Sequence, residues 1–442
     1  MESNPEPHPL SRPGRRETAA DARDLDGPAP AASAAARLGL YVHVPFCAVR
    51  CTYCDFSSGT LSARALEQYL SGMERETSRR APDADGATFT SVFFGGGTPS
   101  VLSARHFHRL VGTLRSHFAI AGDAEITLEA NPESVRPALL DAWSEAGVNR
   151  LSFGVQSFHP DELTRLGRIH DAARPGEAVA LARAHGYRRL SLDLMFGFPG
   201  HTEERFAATL ERALELDPEH LSAYCFIPEA GTPMGDDVLR GRLDLPDADQ
   251  QADLYRSLTA RLAAAAYDCY ETSNFCRPGA EARHNLVYWL RRDYLGLGPS
   301  AHGLWRGTRY GNHYATERWA AALEAGQPCD EREAESARSR ADEIVMLGLR
   351  LSRGVSAADH PPGHWREVTG RFSGAFRAGL ATGRLAPTAD GVCIPRWHRF
   401  VADDVIAWLM AWADRAEPAR RASRETHSRG VGFDSRATAS VT

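Results

Sequence analysis

The chain has few cysteines for its length, which excludes a disulfide scaffold. Only 8 of its 442 residues are cysteine, whereas small secreted domains held by disulfides are dense in cysteine. Three of them cluster within HVPFCAVRCTYCDF, residues 43–56. The others are scattered singly, and we interpret most of them as small buried hydrophobic residues: Cys225, Cys269, Cys276, Cys329 and Cys393.

The sequence also lacks a basic stripe, a long apolar run and a secretory signal. Its formal net charge is −6, and Lys and Arg are dispersed, so nucleic acid is not predicted as a partner. No stretch of about 18 apolar residues is available to span a bilayer. The N-terminus, MESNPEPHPLSRPGRR, has no apolar core of the kind found in signal peptides. We therefore expect a cytoplasmic protein.

Hydrophobic residues make up 43% of the chain, enough for a large core and more than one domain. Residues 1–37 are rich in Pro, Ala, Arg and Asp and have no hydrophobic period, while residues 415–442 are polar and rich in Arg. We predict a disordered lead and a disordered tail at these two ends.

Short apolar segments alternate with helix-like segments in the body of the chain. The strand-like segments are LGLYVHV, TSVFFG, EITLEA, RLSFGV, RLSLDLMF and HLSAYCF. Such alternation predicts parallel strands joined by right-handed crossovers and buried on both faces. We predict an α/β fold, an incomplete (β/α)6 TIM-like barrel over residues 38–235. An open doubly wound sheet is the alternative.

The pattern changes after the sixth strand. Residues 236–335 are predicted to extend the barrel, and residues 336–414 contain helical segments around a short strand, GVCIP. We predict a small C-terminal helical domain, winged-helix-like, over 336–414. No basic recognition helix stands out, so a packing role is expected rather than a DNA-reading one.

Residues with useful chemistry follow the predicted strands. The cysteine loop follows the first strand and GGGTP (95–99) the second; Glu129 ends the third, Gln156 follows the fourth, and Asp193 lies near the end of the fifth. Sites in parallel α/β folds form at the carboxyl ends of the strands. We therefore expect these residues to converge.

The cysteine spacing is C-x3-C-x2-C, from Cys47 through Cys51 to Cys54. A structural zinc site uses four protein ligands, whereas three thiolates can hold a 4Fe-4S cluster and leave one iron for an outside ligand. The spacing favours the iron–sulfur cluster. Zinc with His43 as fourth ligand is the alternative, although His43 lies in a predicted strand and its ring need not face the loop.

The cysteine loop resembles that of radical S-adenosylmethionine (SAM) proteins, in which the unique iron binds SAM. More narrowly, residues 38–412 resemble the oxygen-independent coproporphyrinogen III oxidase family. The resemblance rests on ordered motifs along the chain: LYVHVPFCAVRCTYCDF, FFGGGTPS, ITLEANPE, RLSFGVQSF, LGRIHDA, DLMFGFPG, HLSAYCFIPEAGTP and ARHNLVYWLRRDYLGLGPSAHG.

This resemblance implies that Cys47, Cys51 and Cys54 ligate the cluster and that a further set of residues surrounds SAM. Carboxylates in that set can accept hydrogen bonds from an amino group or from ribose hydroxyls, and the arginine can bind the methionine carboxylate. The implied SAM contacts are Tyr41, Tyr53, Gly96, Gly97, Thr98, Glu129, Gln156, Arg168, Asp193 and Ile227.

Two departures distinguish branches of the family. Members that oxidise coproporphyrinogen carry a further cysteine two residues after the third and extra substrate-binding sequence before the first strand. Here Phe56 holds that position and the lead is predicted to be disordered. CDF together with HNLVYW (284–289) resembles the haem chaperone branch, HemW. That branch implies haem, with His284 as candidate axial ligand and His302 as a second candidate; a structural histidine is the alternative for His284.

We therefore expect a haem chaperone that binds a 4Fe-4S cluster, SAM and haem, and transfers haem to acceptor proteins. An electron donor is implied, and any membrane association would be peripheral, through the acceptors. Catalytic output would be small or absent. The alternatives are an oxygen-independent coproporphyrinogen III oxidase (dehydrogenase) of porphyrin biosynthesis and a zinc-stabilised interaction module.

Overall fold

The computed structural model describes residues 38–429. The predicted disordered lead, and residues 430–442 of the predicted tail, lie outside the described residues. In chain order the strands are β1 (Leu38–Val44), β2 (Phe46–Cys47), β3 (Gly59–Thr60), β4 (Thr88–Gly96), β5 (Ala119–Ala130), β6 (Arg150–Gln156), β7 (Leu190–Phe196), β8 (His220–Cys225), β9 (Asp268–Cys269), β10 (Asn274–Cys276), β11 (Tyr294–Leu297), β12 (His302–Trp305), β13 (Thr308–Asn312), β14 (Asp330–Ala334), β15 (Val355–Ser356), β16 (Ala386–Pro387) and β17 (Gly391–Cys393).

Helices connect and cover these strands. Several crossover helices begin at a side-chain cap: Ser62, Ser103 and Thr202 each accept a hydrogen bond from the backbone N–H three residues later. The helices are α1 (Ala63–Arg80), α2 (Ala104–His117), α3 (Pro137–Glu145), α4 (Pro160–Leu166), α5 (Arg174–Ala184), α6 (Glu203–Glu215), α7 (Pro233–Leu239), α8 (Ala248–Ala264), α9 (Arg283–Trp289), α10 (Thr316–Glu324), α11 (Ala337–Gly348), α12 (Pro362–Ala381) and α13 (Ala402–Arg429).

The strand order identifies the fold as an incomplete barrel. Strands β1, β4, β5, β6, β7 and β8 lie side by side in chain order, and each neighbouring pair is parallel. A doubly wound sheet would reverse its order in the middle, and this one does not. The predicted α/β partial barrel is therefore confirmed, and its carboxyl-terminal strand ends form one rim.

The predicted extension lengthens the sheet at both edges, giving 12 strands in all. On one side β10 pairs antiparallel with β8 and β9; on the other, β11 pairs parallel with β1 and continues into β12, β13 and β14. The parallel strand β11 was not predicted. Its four residues, YLGL, are too short for a periodic pattern to be read.

A buried carboxylate anchors the extension to the barrel. Glu76, on α1, accepts hydrogen bonds from the Gly298 backbone N–H (2.8 Å), Asn312 Nδ2 (2.7 Å) and Trp319 Nε1 (3.1 Å). Burial raises the pKa of Glu76, while neighbouring Arg80 opposes that shift. The network fixes the segment between β11 and β13 against α1, because each buried donor would otherwise lack a partner.

The C-terminal domain has a hydrophobic core of its own, formed by α11, α12, α13 and the sheet of order β15-β17-β16. This arrangement agrees with the predicted helical domain with a β-wing. The predicted disordered tail from residue 415 is contradicted in part, because α13 continues to Arg429. The segment is rich in Ala, Arg and Glu, which are strong helix formers. Within residues 38–429, no helix has the length and apolar character needed to cross a membrane.

Candidate functional site

The cysteine loop lies at the rim, directly after β1. Cys47 ends the short strand β2, and the loop returns through β3, which pairs parallel with β2. Thr98 Oγ1 donates to Cys47 Sγ (3.4 Å), and Arg168 Nη1 donates to Cys51 Sγ (3.4 Å). Hydrogen bonds of this kind orient cysteine ligands of a metal and offset the negative charge on their sulfurs when metal is bound.

Burial raises the pKa of the Cys54 thiol to about 11, and the neighbouring Cys51 and Cys47 add to the rise, opposed by a backbone hydrogen bond at Phe56. In the part of the chain that the structure describes, no three His, Cys, Asp or Glu side chains are arranged to hold one ion. A cluster does not require such convergence, because each thiolate binds a different iron.

His43, the fourth ligand of the zinc alternative, is already engaged. Its Nδ1 lies 3.0 Å from the Tyr41 hydroxyl, and its Nε2 lies 2.8 Å from the Ser57 carbonyl oxygen. Because the Ser57 carbonyl can only accept, Nε2 carries the proton and Nδ1 accepts from Tyr41. Neither nitrogen is left for a metal. Zinc without acid-labile sulfide in anaerobically prepared protein would still establish the zinc alternative.

The glycine turn places backbone where side chains would not fit. A Cβ on Gly97 would lie 2.6 Å from the Phe46 carbonyl oxygen, and a Cβ on Gly96, whose φ is +106°, would lie 2.5 Å from the His43 ring. The Gly97 N–H donates to the Val44 carbonyl oxygen (2.9 Å). The turn therefore packs directly on the start of the cysteine loop, which only glycine permits.

The two carboxylates predicted to contact SAM, Glu129 and Asp193, lie on β5 and β7, with β6 between them. Glu129, near the end of β5, accepts from the Gly96 backbone N–H (3.3 Å). Burial, with the charge of Asp193 as second cause, raises the pKa of Glu129 to about 8. Asp193, on β7, accepts from Ser152 Oγ at 3.0 and 3.1 Å, and burial raises its pKa as well. A cationic ligand near this pair would stabilise both charges.

Arg168 is half-buried beside the cysteine loop, and its buried Nε is an unused donor. Its Nη2 donates to Asn131 Oδ1 (2.8 Å) and to the Gly154 carbonyl oxygen (2.6 Å), but its Nε has no partner among the described residues. Gln156 follows at the end of β6, with a φ of 68°. A buried donor without a partner is costly, so a carboxylate of a bound ligand fits here.

The remaining predicted SAM contacts lie around the same rim. Tyr41, on β1, stacks on Phe93. Tyr53, in the cysteine loop, packs against a small apolar cluster that includes Leu166, and burial raises its pKa. Ile227, just after β8, is 68% exposed. The structure thus brings the predicted residues to one rim, and their contacts with SAM stay predictions.

An open cavity of about 510 Å³ lies beside the cysteine loop. The cysteine loop contributes Phe56, the sheet contributes Tyr41 and Glu129, and the extension contributes Tyr288 and His302. Phe56 is 58% exposed. The volume lies within the range of small-molecule sites, and aromatic walls suit a flat apolar ligand.

His284 does not line this cavity, and both of its ring nitrogens have hydrogen-bond partners. Its side chain is fully buried, its Nδ1 lies 3.0 Å from Ser91 Oγ, and its Nε2 lies 2.8 Å from the Tyr288 hydroxyl. Burial lowers its pKa to about 3. The structure therefore supports a structural role and does not support iron ligation by His284. Trp289 packs near Arg350 of the C-terminal side.

Several residues that shape the site are not predicted from the sequence. Asn131 holds Arg168, Ser152 holds Asp193, and Tyr294 packs edge-on against Tyr288, at a ring separation of 4.8 Å. Asn131 lies within ITLEANPE, in which only Glu129 is predicted to contact SAM. Short polar side chains such as Asn131 and Ser152 cannot be recognised as site residues from the sequence until their partners are known.

Residues 41–213 match the Radical SAM superfamily. The chain is 36% identical over 384 residues to a protein of Mycobacterium tuberculosis (strain CDC 1551 / Oshkosh) named "Heme chaperone HemW", covering 84% of this chain and 94% of that protein. A protein of the same name from Bacillus subtilis (strain 168) is 33% identical over 367 residues, covering 83% and 97%. The chain belongs to the HemW family of radical SAM proteins.

Membership of the radical SAM superfamily implies a 4Fe-4S cluster and SAM. The chain also resembles the solved structure of coproporphyrinogen III oxidase (HemN) from Escherichia coli, described as a radical SAM enzyme. The TM-score is 0.73 and the identity 25%, covering 85% of this chain and 90% of that one. This likeness extends over both the barrel and the C-terminal domain.

Proposed function

We propose that the chain is a haem chaperone that binds a 4Fe-4S cluster, SAM and haem and transfers haem to acceptor proteins. Relatives named heme chaperone match it over more than four fifths of its length. The proposal includes an electron donor for the cluster and acceptors that contact the cavity rim. Catalytic turnover of a porphyrinogen is not part of it.

The roles of the chain's own residues follow from the rim geometry. Cys47, Cys51 and Cys54 would hold the cluster, with Thr98 and Arg168 donating to sulfur and so stabilising its negative charge. When bound, the cluster and SAM supply one-electron chemistry.

The SAM methionine end would lie on the glycine turn. Gly96 and Gly97, which pack against the His43 ring and the Phe46 backbone, would offer it backbone polar groups. The unused Arg168 Nε would meet the ligand's carboxylate, and Glu129 would accept from its amino group.

The chaperone proposal depends most on the phenylalanine at position 56. In the oxidase branch a cysteine stands at this position, whereas here a phenyl ring lines the cavity and is more than half exposed. A phenyl ring cannot exchange protons or bind iron, but it can pack against a flat macrocycle. The position is therefore suited to holding haem and unsuited to the chemistry of a thiol.

An anaerobic assay tests the proposal. Reconstituted protein is supplied with coproporphyrinogen III, SAM and a reductant, and the E. coli oxidase serves as positive control. We expect no decarboxylated product, together with saturable uptake of haem. Product formation at a rate comparable with the control would overturn the chaperone proposal.

The second candidate function is coproporphyrinogen III oxidation, which the likeness to HemN favours. It predicts loss of two propionate carboxyl groups per porphyrinogen and consumption of SAM. The same assay separates the two functions, because a chaperone retains haem and consumes no porphyrinogen.

A further inference from the structure

The cavity beside the cysteine loop contains a histidine that no other part of the protein uses. His302, the first residue of β12, is exposed and lines the cavity. Within residues 38–429, neither of its ring nitrogens has a hydrogen-bond partner. The cavity's other histidine, His43, has both nitrogens engaged, and so does the fully buried His284.

The turn that carries His302 is held rigidly. The Gly298 carbonyl oxygen accepts from Asn312 Nδ2 (2.7 Å), and the Asn312 backbone N–H donates to the Ala301 carbonyl oxygen (2.8 Å). The Ser300 N–H donates to the His313 carbonyl oxygen (2.9 Å). Fixing the backbone in advance lowers the entropic cost of binding a ligand.

The neighbouring strand leaves space for the imidazole ring. Gly311 pairs with His302 across β12 and β13, and a Cβ at Gly311 would lie 2.9 Å from His302 Cε1. The ring therefore lies beside a glycine, in space that a side chain at position 311 would fill. A preorganised imidazole with a free nitrogen is a common ligand of haem iron.

The cavity walls fit the rest of a haem. Phe56 and Tyr314 expose 58% and 60% of their surfaces, and Tyr288 and Tyr294 complete an aromatic lining. Tyr314 also joins the wall to the cysteine loop: its hydroxyl donates to the Asp55 carbonyl oxygen (3.2 Å), and Ser57 Oγ donates to the Tyr314 carbonyl oxygen (2.9 Å).

We propose that His302 is the axial ligand of the haem iron, and that haem binds in the part of the cavity lined by Phe56, Tyr314 and the β11–β12 turn, leaving Gly96 and Glu129 to SAM. This inference rests on the proposed haem chaperone function and names the residue that holds the cargo. It places haem against the wall formed by the cysteine loop and assigns His284 a structural role beneath the site.

The test is a titration of the full-length, anaerobically reconstituted chain with ferric haem, followed by absorbance and electron paramagnetic resonance. The variants are His302→Ala and His302→Cys, with His117→Ala as matched control, because His117 is also exposed but lies at the end of α2, outside the cavity. Circular dichroism and thermal unfolding report whether each variant folds.

We expect the wild type and H117A to share one spectrum and one affinity. In H302A the affinity should fall by at least about tenfold, since even loss of a residue that only orients a ligand costs this much. Added imidazole should restore the wild-type spectrum to H302A, and H302C should give a thiolate-type spectrum. A purely structural role for His302 would produce neither effect.

Two contrary results are distinguishable. If the wild type binds haem saturably and H302A keeps both its spectrum and its affinity, the ligand assignment is overturned while the chaperone proposal survives. If the wild type fails to bind haem at all, the proposed function itself fails and the assignment falls with it.

Discussion

At the scale of single residues, the Cys54 thiol must lose its proton before it can bind iron. Burial holds its thiol neutral at physiological pH by raising its pKa to about 11. Binding iron requires the thiolate, so cluster assembly must release a proton from this residue.

Replacing any one of Cys47, Cys51 or Cys54 with alanine should abolish the cluster, because a 4Fe-4S cluster held by two thiolates loses an anchored iron. Iron and acid-labile sulfide are measured after anaerobic reconstitution. Cys393→Ala is the matched control, since Cys393 lies in the C-terminal domain. Full retention of iron and sulfide in one of the loop variants would remove that cysteine from the ligand set.

Glu129 gives a pH-dependent prediction. Its pKa rises from an ordinary value near 4.5 to about 8, so between these values the folded chain keeps a proton that the unfolded chain has lost. Stability from this group is present below pH 4.5 and is lost as pH rises through 8. Glu129→Gln, neutral throughout, should gain about 3–5 kcal/mol over the wild type between pH 5 and pH 9.

The measurement is chemical denaturation of the cofactor-free protein across that pH range. Glu324→Gln, which changes an exposed carboxylate on α10, should follow the wild-type profile. Parallel profiles for E129Q and wild type would show that Glu129 is already ionised in the folded chain.

At the scale of elements, the glycine turn after β4 couples the sheet to the cysteine loop. Gly97→Ala would force a methyl group against the Phe46 carbonyl oxygen and the Val44 carbonyl oxygen, at 2.6 and 2.9 Å. Backbone on both sides cannot yield cheaply, so we expect a loss of about 2 kcal/mol or more and a distorted cluster loop.

Gly112→Ala is the control, because a Cβ at Gly112, on α2, would meet nothing within 4 Å. Alanine there should be neutral or stabilising by up to about 1 kcal/mol. Thermal unfolding and the yield of reconstituted cluster report both effects. Equal stability and equal cluster content in the two variants would contradict the close packing at Gly97.

The elements that sequence predicted are those with a long periodic pattern. The six central strands and helices such as α6 (Glu203–Glu215) follow from alternating apolar segments and caps. Strand β11 could not be predicted, because a four-residue strand is too short to show a periodic pattern. The Glu76 network could not be predicted either, because in the sequence a buried carboxylate on an amphipathic helix looks the same as an exposed one. The rim residues could be predicted from their place at strand ends. The engagement of His284 could not, because it depends on Ser91, 193 residues away on β4, as well as on Tyr288, one helical turn along α9.

At the scale of the whole molecule, the two cores meet at a group of ion pairs. Arg291, which follows α9, pairs with Glu335 and Glu343, and the side chains of all three are largely buried. Arg309 and Arg340 provide second partners for the two carboxylates. The junction therefore holds the HNLVYW helix against the C-terminal domain.

Arg291→Ala should destabilise the protein by about 3 kcal/mol, the lower end of the cost of breaking a buried pair, because the second arginines remain. Arg256→Ala, which removes an exposed pair with Asp253, should cost less than about 1 kcal/mol. Denaturant unfolding of both variants measures the difference. Similar costs would show that the junction contributes no more than a surface pair.

The whole account depends on one chain holding an iron–sulfur cluster and haem side by side without turning over a porphyrinogen. The most direct measurement is the haem content per chain after anaerobic reconstitution with iron, sulfide, SAM and haem, followed by removal of unbound haem. The account predicts one haem per cluster-loaded chain. A cluster-loaded chain that retains no haem would contradict it.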